Sequence, residues 1–489
     1  MAQNGTKIVL GFVFLLAGLL VAAQVQAAQT PASTAPASVQ ASSDQSDWFH
    51  NPEPWLEQGM DFRFRENAGY NWYGLNSDAT YKTWSNNDVH WERYRTRLWD
   101  KFKLDENTSI NTRFTWEFVT WDQPQSKDQF TDFDEIIMDN FNVSMKKFLD
   151  LPVTATIGRQ DIFLGQGWLV GDGTPMDGSR TFYFDAARFT YDLAEKTKLD
   201  MIYIHNMPNS DWWLKPINDR TKFVTQEQEN GAILYLTDKS NEKMQVEGYL
   251  MYKNNNPVDG WARNLPTEAA REACSKKAEI YTLGGALSGP LSDNWGYRVE
   301  GAVQTGRSAS PSTLVTANDQ TEHLMAFGEK STLEYSFKDD IDNKLHVTYE
   351  YLSGDDPGTK QVEAFNPLWG QWPQWSELLQ GPYVPNMEDK LISNMHRLDF
   401  GHKCKPNSQW EILTDWNLLW SDENTFKGNP KFTDNGSFRG HLLTCWARYT
   451  FSKQLSGSLV GEYFMPGNYY SHLNNDDALF FYFTVTYTF

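Results

Sequence analysis

Trp91 to Leu104, WERYRTRLWDKFKL, is the stretch whose reading decides the fold. Successive side chains of an extended strand point to opposite faces. A period of two therefore puts Trp91, Arg93, Arg95, Arg97, Trp99, Lys101 and Lys103 on one face. Tyr94, Thr96, Leu98, Phe102 and Leu104 fall on the other, with Asp100 breaking the apolar set. The basic face needs water and the opposite face needs an apolar medium. Repeated around a closed sheet, that division gives a barrel whose outside meets lipid and whose wet inside is lined by the Arg/Lys ladder.

The division does repeat. Alternating segments follow one another from Met60–Glu66 through Val153–Leu164 and Arg180–Leu193 to Ala478–Phe489, about eighteen in all. Their connections alternate between short and long: Asp105–Thr108 and Ala194–Thr197 are short, Asn67–His90 and Gly354–Ile392 long. Short turns at one end and long loops at the other are expected of an outer-membrane barrel with both termini in the periplasm. The expected fold is all-β, a single transmembrane antiparallel barrel of the outer-membrane porin type over residues 48–489.

Composition fits this reading. Aromatic residues make up 15% of the chain and include 20 Trp, enough for girdles at two membrane interfaces, while a mean hydropathy of −0.59 excludes a bundle of transmembrane helices. A net charge of −20 excludes nucleic acid as a partner, because backbone binding needs a basic footprint. Cys274, Cys404 and Cys445 are odd in number and lack metal-ligand spacing, so neither metal nor cofactor is expected. The nine histidines form no motif, and GxSxG, HExxH and Walker sequences are absent. Plentiful carboxylates keep an outer-membrane carbohydrate-active hydrolase as an alternative.

At the N-terminus, Lys7, the apolar run Ile8 to Val21 and the small-residue site Val25-Gln26-Ala27 read as a signal peptide over residues 1–27. Residues 28–47, rich in Ala, Ser, Pro and Gln, read as a disordered leader. The last segment turns Leu479, Phe481, Phe483, Val485, Tyr487 and Phe489 to lipid and Thr484, Thr486 and Thr488 inward. An aromatic strand ending in Phe489 resembles the signal by which barrel-assembly machinery recognises its clients.

The same parity points Arg63 and Arg65 inward on the first strand and Arg113 and Glu117 on the third. Later strands present Arg298 with Glu300, Arg397 with Asp399, and Arg448. Such mixtures suit an ion-selective pore. The Arg93, Arg95 and Arg97 ladder reads as unneutralised like charge seeking an anionic partner. In Val153–Leu164, simple alternation sends Arg159 and Asp161 to lipid unless Gly158 hosts a bulge. Asp185 and Arg188 have opposite parity, although the pair looks suited to a shared lumenal salt bridge. Loop Gly354–Ile392 holds Phe365, Trp369, Trp372, Trp375 and Tyr383, aromatic faces suited to stacking on sugar or packing a plug, so Trp369, Trp372 and Trp375 are gating candidates.

The chain resembles the alginate export family of outer-membrane barrels at Ile157-Gly158-Arg159-Gln160 followed by Gly165 and Gly167, at Phe184-Asp185-Ala186-Ala187-Arg188, and more weakly at Phe365-Asn366-Pro367-Leu368. The likeness is best over Trp91–Leu193. It implies an eighteen-stranded monomer with an electropositive constriction through which acidic polysaccharide leaves the cell, Arg159, Asp185 and Arg188 being inward constriction residues. The expected function is export or passage of an anionic polysaccharide or oligosaccharide across the outer membrane of a Gram-negative bacterium. The alternative is a general diffusion porin for small solutes, including small anions.

Overall fold

The computed structural model describes residues 47–72, 74–77, 88–124, 130–171, 183–207, 213–218, 228–256, 277–309, 321–370, 373–380 and 393–489. The signal peptide and nearly all of the leader lie outside these. Eighteen strands form the wall: β1 (Leu56–Tyr70), β2 (Val89–Lys103), β3 (Thr108–Gln123), β4 (Ile137–Met145), β5 (Val153–Gln160), β6 (Phe184–Ala194), β7 (Thr197–Asn206), β8 (Gln228–Asn241) and β9 (Met244–Asn256). The second half comprises β10 (Ala278–Pro290), β11 (Trp295–Ser308), β12 (Glu322–Ser336), β13 (Lys344–Leu352), β14 (Met395–Asn407), β15 (Trp410–Trp420), β16 (Phe438–Thr450), β17 (Leu455–Pro466) and β18 (Ala478–Thr488). A two-residue piece, Phe130–Thr131, adds a short pairing to β3.

Each strand pairs antiparallel with its sequence neighbours, and β18 returns to β1 in a register running from Asp61↔Thr488 to Tyr70↔Leu479. The sheet is therefore closed, and no edge is left unpaired. Every expected segment corresponds to one of these strands. The difference that matters for the interior is in Val153–Leu164, where β5 ends at Gln160. Ile162 and Leu164 are buried with the interior apolar cluster rather than extending the wall.

The outer face follows from the pleat. Met201, Leu234, Leu250, Leu283, Val303 and Phe327 are successive register partners across β7 to β12. Leu234, Leu250, Leu283, Val303 and Phe327 are 40–63% exposed. An apolar band of this extent needs hydrocarbon around it. Aromatic contacts flank it: Trp295 with Tyr335 and Trp410 with Tyr449 near the short turns, Trp116 with Phe118 and Tyr252 with Tyr281 toward the long loops. Asp100, the polar residue in the lipid-facing set of β2, accepts a hydrogen bond from Thr112 Oγ1 at 3.2 Å.

One glycine has a special part in the wall. Gly158 has φ +124°, and a Cβ there would stand 2.4 Å from the Phe141 carbonyl oxygen. Only glycine relaxes into this twist, and regular alternation ends at it.

The lipid-facing assignment predicts that Leu234→Arg, at mid-strand, destabilises the barrel by about 2–4 kcal/mol. Guanidinium unfolding in lipid vesicles measures this, and an unchanged midpoint would contradict the assignment.

Candidate functional site: a charged wall and an inserted plug

The interior is built from residues two apart on neighbouring strands. On β1, Asp61, Arg63, Arg65 and Asn67 share one face, and register sets Arg63 against Arg95, Arg65 against Arg93, and Asp61 against Arg97. On the other side of β2, Arg95 faces Glu117. The expected wall is thus assembled, but as a packed array. Arg63, Arg65, Arg95, Arg159 and Arg397 are only 2–3% exposed.

This burial corrects the expectation of an unneutralised ladder. Arg97 is bound to Asp61 at 2.5 Å, and Arg95 lies 3.7 Å from the same carboxylate. Arg63 and Arg93 reach Glu117 at 3.3 and 4.0 Å. Arg113 is held by Asp139 and Asp161, both at 2.7 Å. Removing a guanidinium from water without a counter-charge costs several kcal/mol, so each basic residue here comes with an acid. Asp61 was legible as the inward neighbour of Arg63, whereas Asp139 and Asp161 are brought to Arg113 only by the strand register.

Arg159 and Asp185 form a two-point ion pair at 3.0 and 3.2 Å, with Arg159 stacked on Tyr183 at 3.8 Å and near Trp213 at 5.6 Å. Arg188 is paired separately, to Asp200 at 2.8 Å. The shared Asp185–Arg188 bridge suggested by their proximity in sequence is not what these side chains make. Arg397 binds Glu350 at 3.0 Å and Asn417 at 2.9 Å, with Asp399 at 3.7 Å. Arg448 pairs with Glu411 at 3.0 Å and is more than half exposed near the short-turn mouth.

The described residues of loop Gly354–Ile392 cross the interior. Trp369 is fully buried and donates its indole N–H to Glu229 on β8 at 3.1 Å. Lys253 on β9 donates to the Leu368 carbonyl at 2.7 Å and pairs with Glu229 at 2.9 Å. Gln304 on β11 exchanges two hydrogen bonds with the Asn366 backbone, at 2.7 and 2.8 Å. Farther along, Glu377 meets Arg65 on β1 at 3.2 Å, and Trp375 lies under the Arg397 guanidinium of β14 at 4.5 Å. One loop touching β1, β8, β9, β11 and β14 does so from inside the barrel. Trp372 lies outside the described residues.

A second inserted segment was read in the sequence as the end of a strand. Residues 161–171, after β5, meet the loop through a parallel bridge between Val170 and Trp369. Trp369 N donates to the Leu169 carbonyl at 2.9 Å. Trp168 stacks on Phe365 at 5.6 Å and donates to Glu350 at 3.0 Å. The apolar run Ile162-Phe163-Leu164 followed by two glycines was the available signal. Between the two segments and the wall lies a small cavity, with Trp168, Trp375, Lys330 and Glu350 among its lining residues.

A closed, lipid-banded barrel with a charged interior and an inserted plug defines an outer-membrane channel of the porin type. Residues 55–476 match the alginate export family, and the chain belongs to that family of Gram-negative outer-membrane barrels, channels for polysaccharide or solute. Among solved structures, OccAB1 of Acinetobacter baumannii is similar at TM-score 0.56 and 9% identity, over 90% of this chain and 97% of that one. OccK2 (OpdF) of Pseudomonas aeruginosa gives 0.52 at 10% identity, over 88% and 98%. A BenF-like porin from Pseudomonas fluorescens Pf-5 gives 0.51 at 11%, also over 88% and 98%. These likenesses establish the fold alone. No curated protein matches the chain.

The plug has a strong anchor at Glu462 on β17. Its carboxylate accepts from Ser376 Oγ at 2.5 Å and from the backbone N–H groups of Glu377 and Leu378 at 2.7 and 3.1 Å. Even at about 0.5–1.5 kcal/mol each, the worth of an ordinary hydrogen bond, three converging on one side chain hold the loop to the wall. Glu462→Ala is therefore expected to loosen the loop and raise single-channel conductance in planar bilayers. Conductance and open lifetime equal to wild type would show that this anchor does not hold the channel shut.

Proposed function

We infer that the channel carries an anionic polysaccharide or oligosaccharide outward, with its termini and short turns in the periplasm and its long loops outside the cell. The observation that carries the reading is the imbalance on one side of the wall. The deep inward positions of β1, β2 and β3 hold six arginines, Arg63, Arg65, Arg93, Arg95, Arg97 and Arg113, against Asp61 and Glu117 of the same strands and Asp139, Asp161 and Glu377 brought from elsewhere. Paired guanidiniums still project a positive field when they outnumber their carboxylates. Arg93 is the loosest of them, with its side chain 24% exposed and its carboxylate contact at 4.0 Å. It is placed to exchange Glu117 for a passing carboxylate.

The other long-loop features agree with release. Asp355, Asp356, Glu363, Asp422 and Glu423 gather beside β13 and β14 at the long-loop end. Burial, Asp356 and Asp422 push the Glu423 carboxyl above its ordinary value. An acidic rim repels a polyanion that has left the basic wall. Apart from Glu229, paired with Lys253, and Glu462, which holds the plug, the lumenal carboxylates named above are tied to arginines, which suits them to shaping a field rather than to hydrolysis. The chain works in this reading as a monomer in outer-membrane lipid, delivered by barrel-assembly machinery through its C-terminal strand.

Reversal potential in a salt gradient tests the cargo. Wild type is expected to be anion-selective and to be blocked reversibly, in a salt-sensitive way, by an acidic polymer. Arg93→Gln/Arg95→Gln/Arg97→Gln removes charge without setting new carboxylates against Asp61, and should move the reversal potential toward zero and weaken block. Cation selectivity in wild type, or unchanged block in the triple variant, would leave a general diffusion porin.

A further inference from the structure

Three potential ligands meet on the inner wall apart from the plug and the arginine-rich strands. His346 Nε2 lies 3.1 Å from Asp399 Oδ2 and 3.2 Å from Asp415 Oδ1, and one ligand atom from each residue falls within 4.8 Å of the others. The residues come from three consecutive strands, β13, β14 and β15, at positions of inward parity. Gly401 makes their meeting possible. It is the register partner of both His346 and Asp415, and a Cβ on it would stand 2.0 Å from His346 Cε1 and 2.3 Å from Asp415 Oδ1. The space a side chain would fill is taken by the imidazole and the carboxylate approaching each other from the two flanking strands.

Hydrogen bonding leaves this group with surplus acceptors. A single imidazole N–H donates well to one oxygen, and Asp415 Oδ1 remains without a hydrogen bond despite its 3.2 Å approach. Asp399 Oδ1 is likewise buried with no hydrogen-bond partner among the described residues, on a side chain only 4% exposed. The surroundings orient the carboxylates without using those oxygens: Thr444 Oγ1 donates to Asp415 Oδ2 at 3.3 Å, and Arg397 Nη1 lies 3.7 Å from Asp399 Oδ2. Buried acceptors left open beside an imidazole are expensive unless a cation fills the gap.

We propose that His346, Asp399 and Asp415 form a binding site for a divalent transition-metal ion on the lumen wall. One imidazole and two carboxylates suit a borderline ion such as Zn²⁺ better than the all-oxygen preference of Ca²⁺ or Mg²⁺. Three protein ligands leave the remaining coordination to water. The His346 side chain, 18% exposed, gives the ion a way in from the lumen. An ion there offsets the charge of both carboxylates on a stretch of wall where acids collect.

The test uses tag-free protein purified in detergent, stripped with EDTA and titrated with zinc chloride by calorimetry. Wild type is expected to bind one zinc per chain, and Asp399→Asn and Asp415→Asn each to weaken binding at least about tenfold. Heat-modifiable mobility on electrophoresis identifies the folded barrels, and His346→Gln supplies a further variant should either aspartate variant fail to fold. Absence of saturable binding in wild type, or equal affinity in wild type and folded variants, overturns the site and leaves His346 as an imidazolium held between two carboxylates.

Discussion

The pairing of arginine with carboxylate inside a closed wall is the constraint on which the rest of the molecule depends. The pleat sends every second residue inward, and on this wall many of those residues are charged. A guanidinium surrounded by other side chains instead of water is tolerable only beside an acid. The solution is a lattice in which carboxylates and arginines are shared across strands. Asp61 holds Arg95 and Arg97, Glu117 holds Arg63 and Arg93, and Asp139 and Asp161 hold Arg113. The lattice also fixes strand register, since a slip of one residue would carry these ions into lipid.

The plug depends on the same constraint. Its buried indoles, Trp168 and Trp369, would each lose a hydrogen bond on entering the interior, and each recovers it from a wall carboxylate, Glu350 or Glu229. Those acids are themselves held by Arg397 and Lys253. Plug and wall are thus one polar network wrapped around an apolar centre of Phe365, Leu368 and Trp369. Moving the loop means breaking several such contacts together, which makes two distinct arrangements more natural than gradual narrowing.

Much of the wall was legible because alternation is a local property. Trp91–Leu104 reads correctly by itself, and so does Ala478–Phe489, where Val485 and Tyr487 face out while Tyr482 lies inside under the Arg65 guanidinium, 3.7 Å from the ring centroid. Reading failed where the backbone leaves the pleat. At Gly158 the twist ends simple parity, and the apolar run after it packs the interior instead of prolonging the strand. The carboxylate partners were less accessible still. Arg113 and Asp161 are 48 residues apart and meet only through strand register, which one sequence does not display. Of the residues of likeness, Gly165 and Gly167 lie in the segment after β5 and Phe365-Asn366-Pro367-Leu368 in the long loop, the two pieces that meet inside.

Charge placement then gives the interior a direction. Inward arginines outnumber inward acids on β1 through β3, while along the remaining wall Asp200, Glu229, Glu247, Glu300, Glu350, Asp399 and Asp415 outnumber the cations set among them, Arg188, Lys253, Arg298, Lys330 and Arg397. A polyanion would therefore travel along one side of the lumen rather than its axis, and the plug stands between the two sides, tied to Arg65 through Glu377 and to the acid-bearing side through Trp369 and Trp168. Because Glu377 already occupies Arg65, an incoming carboxylate competes for the very cation that holds the loop. Under the proposed function, cargo binding and loop release would be coupled through that exchange, since a ligand shifts an equilibrium only by contacts it makes in one state and not in the other.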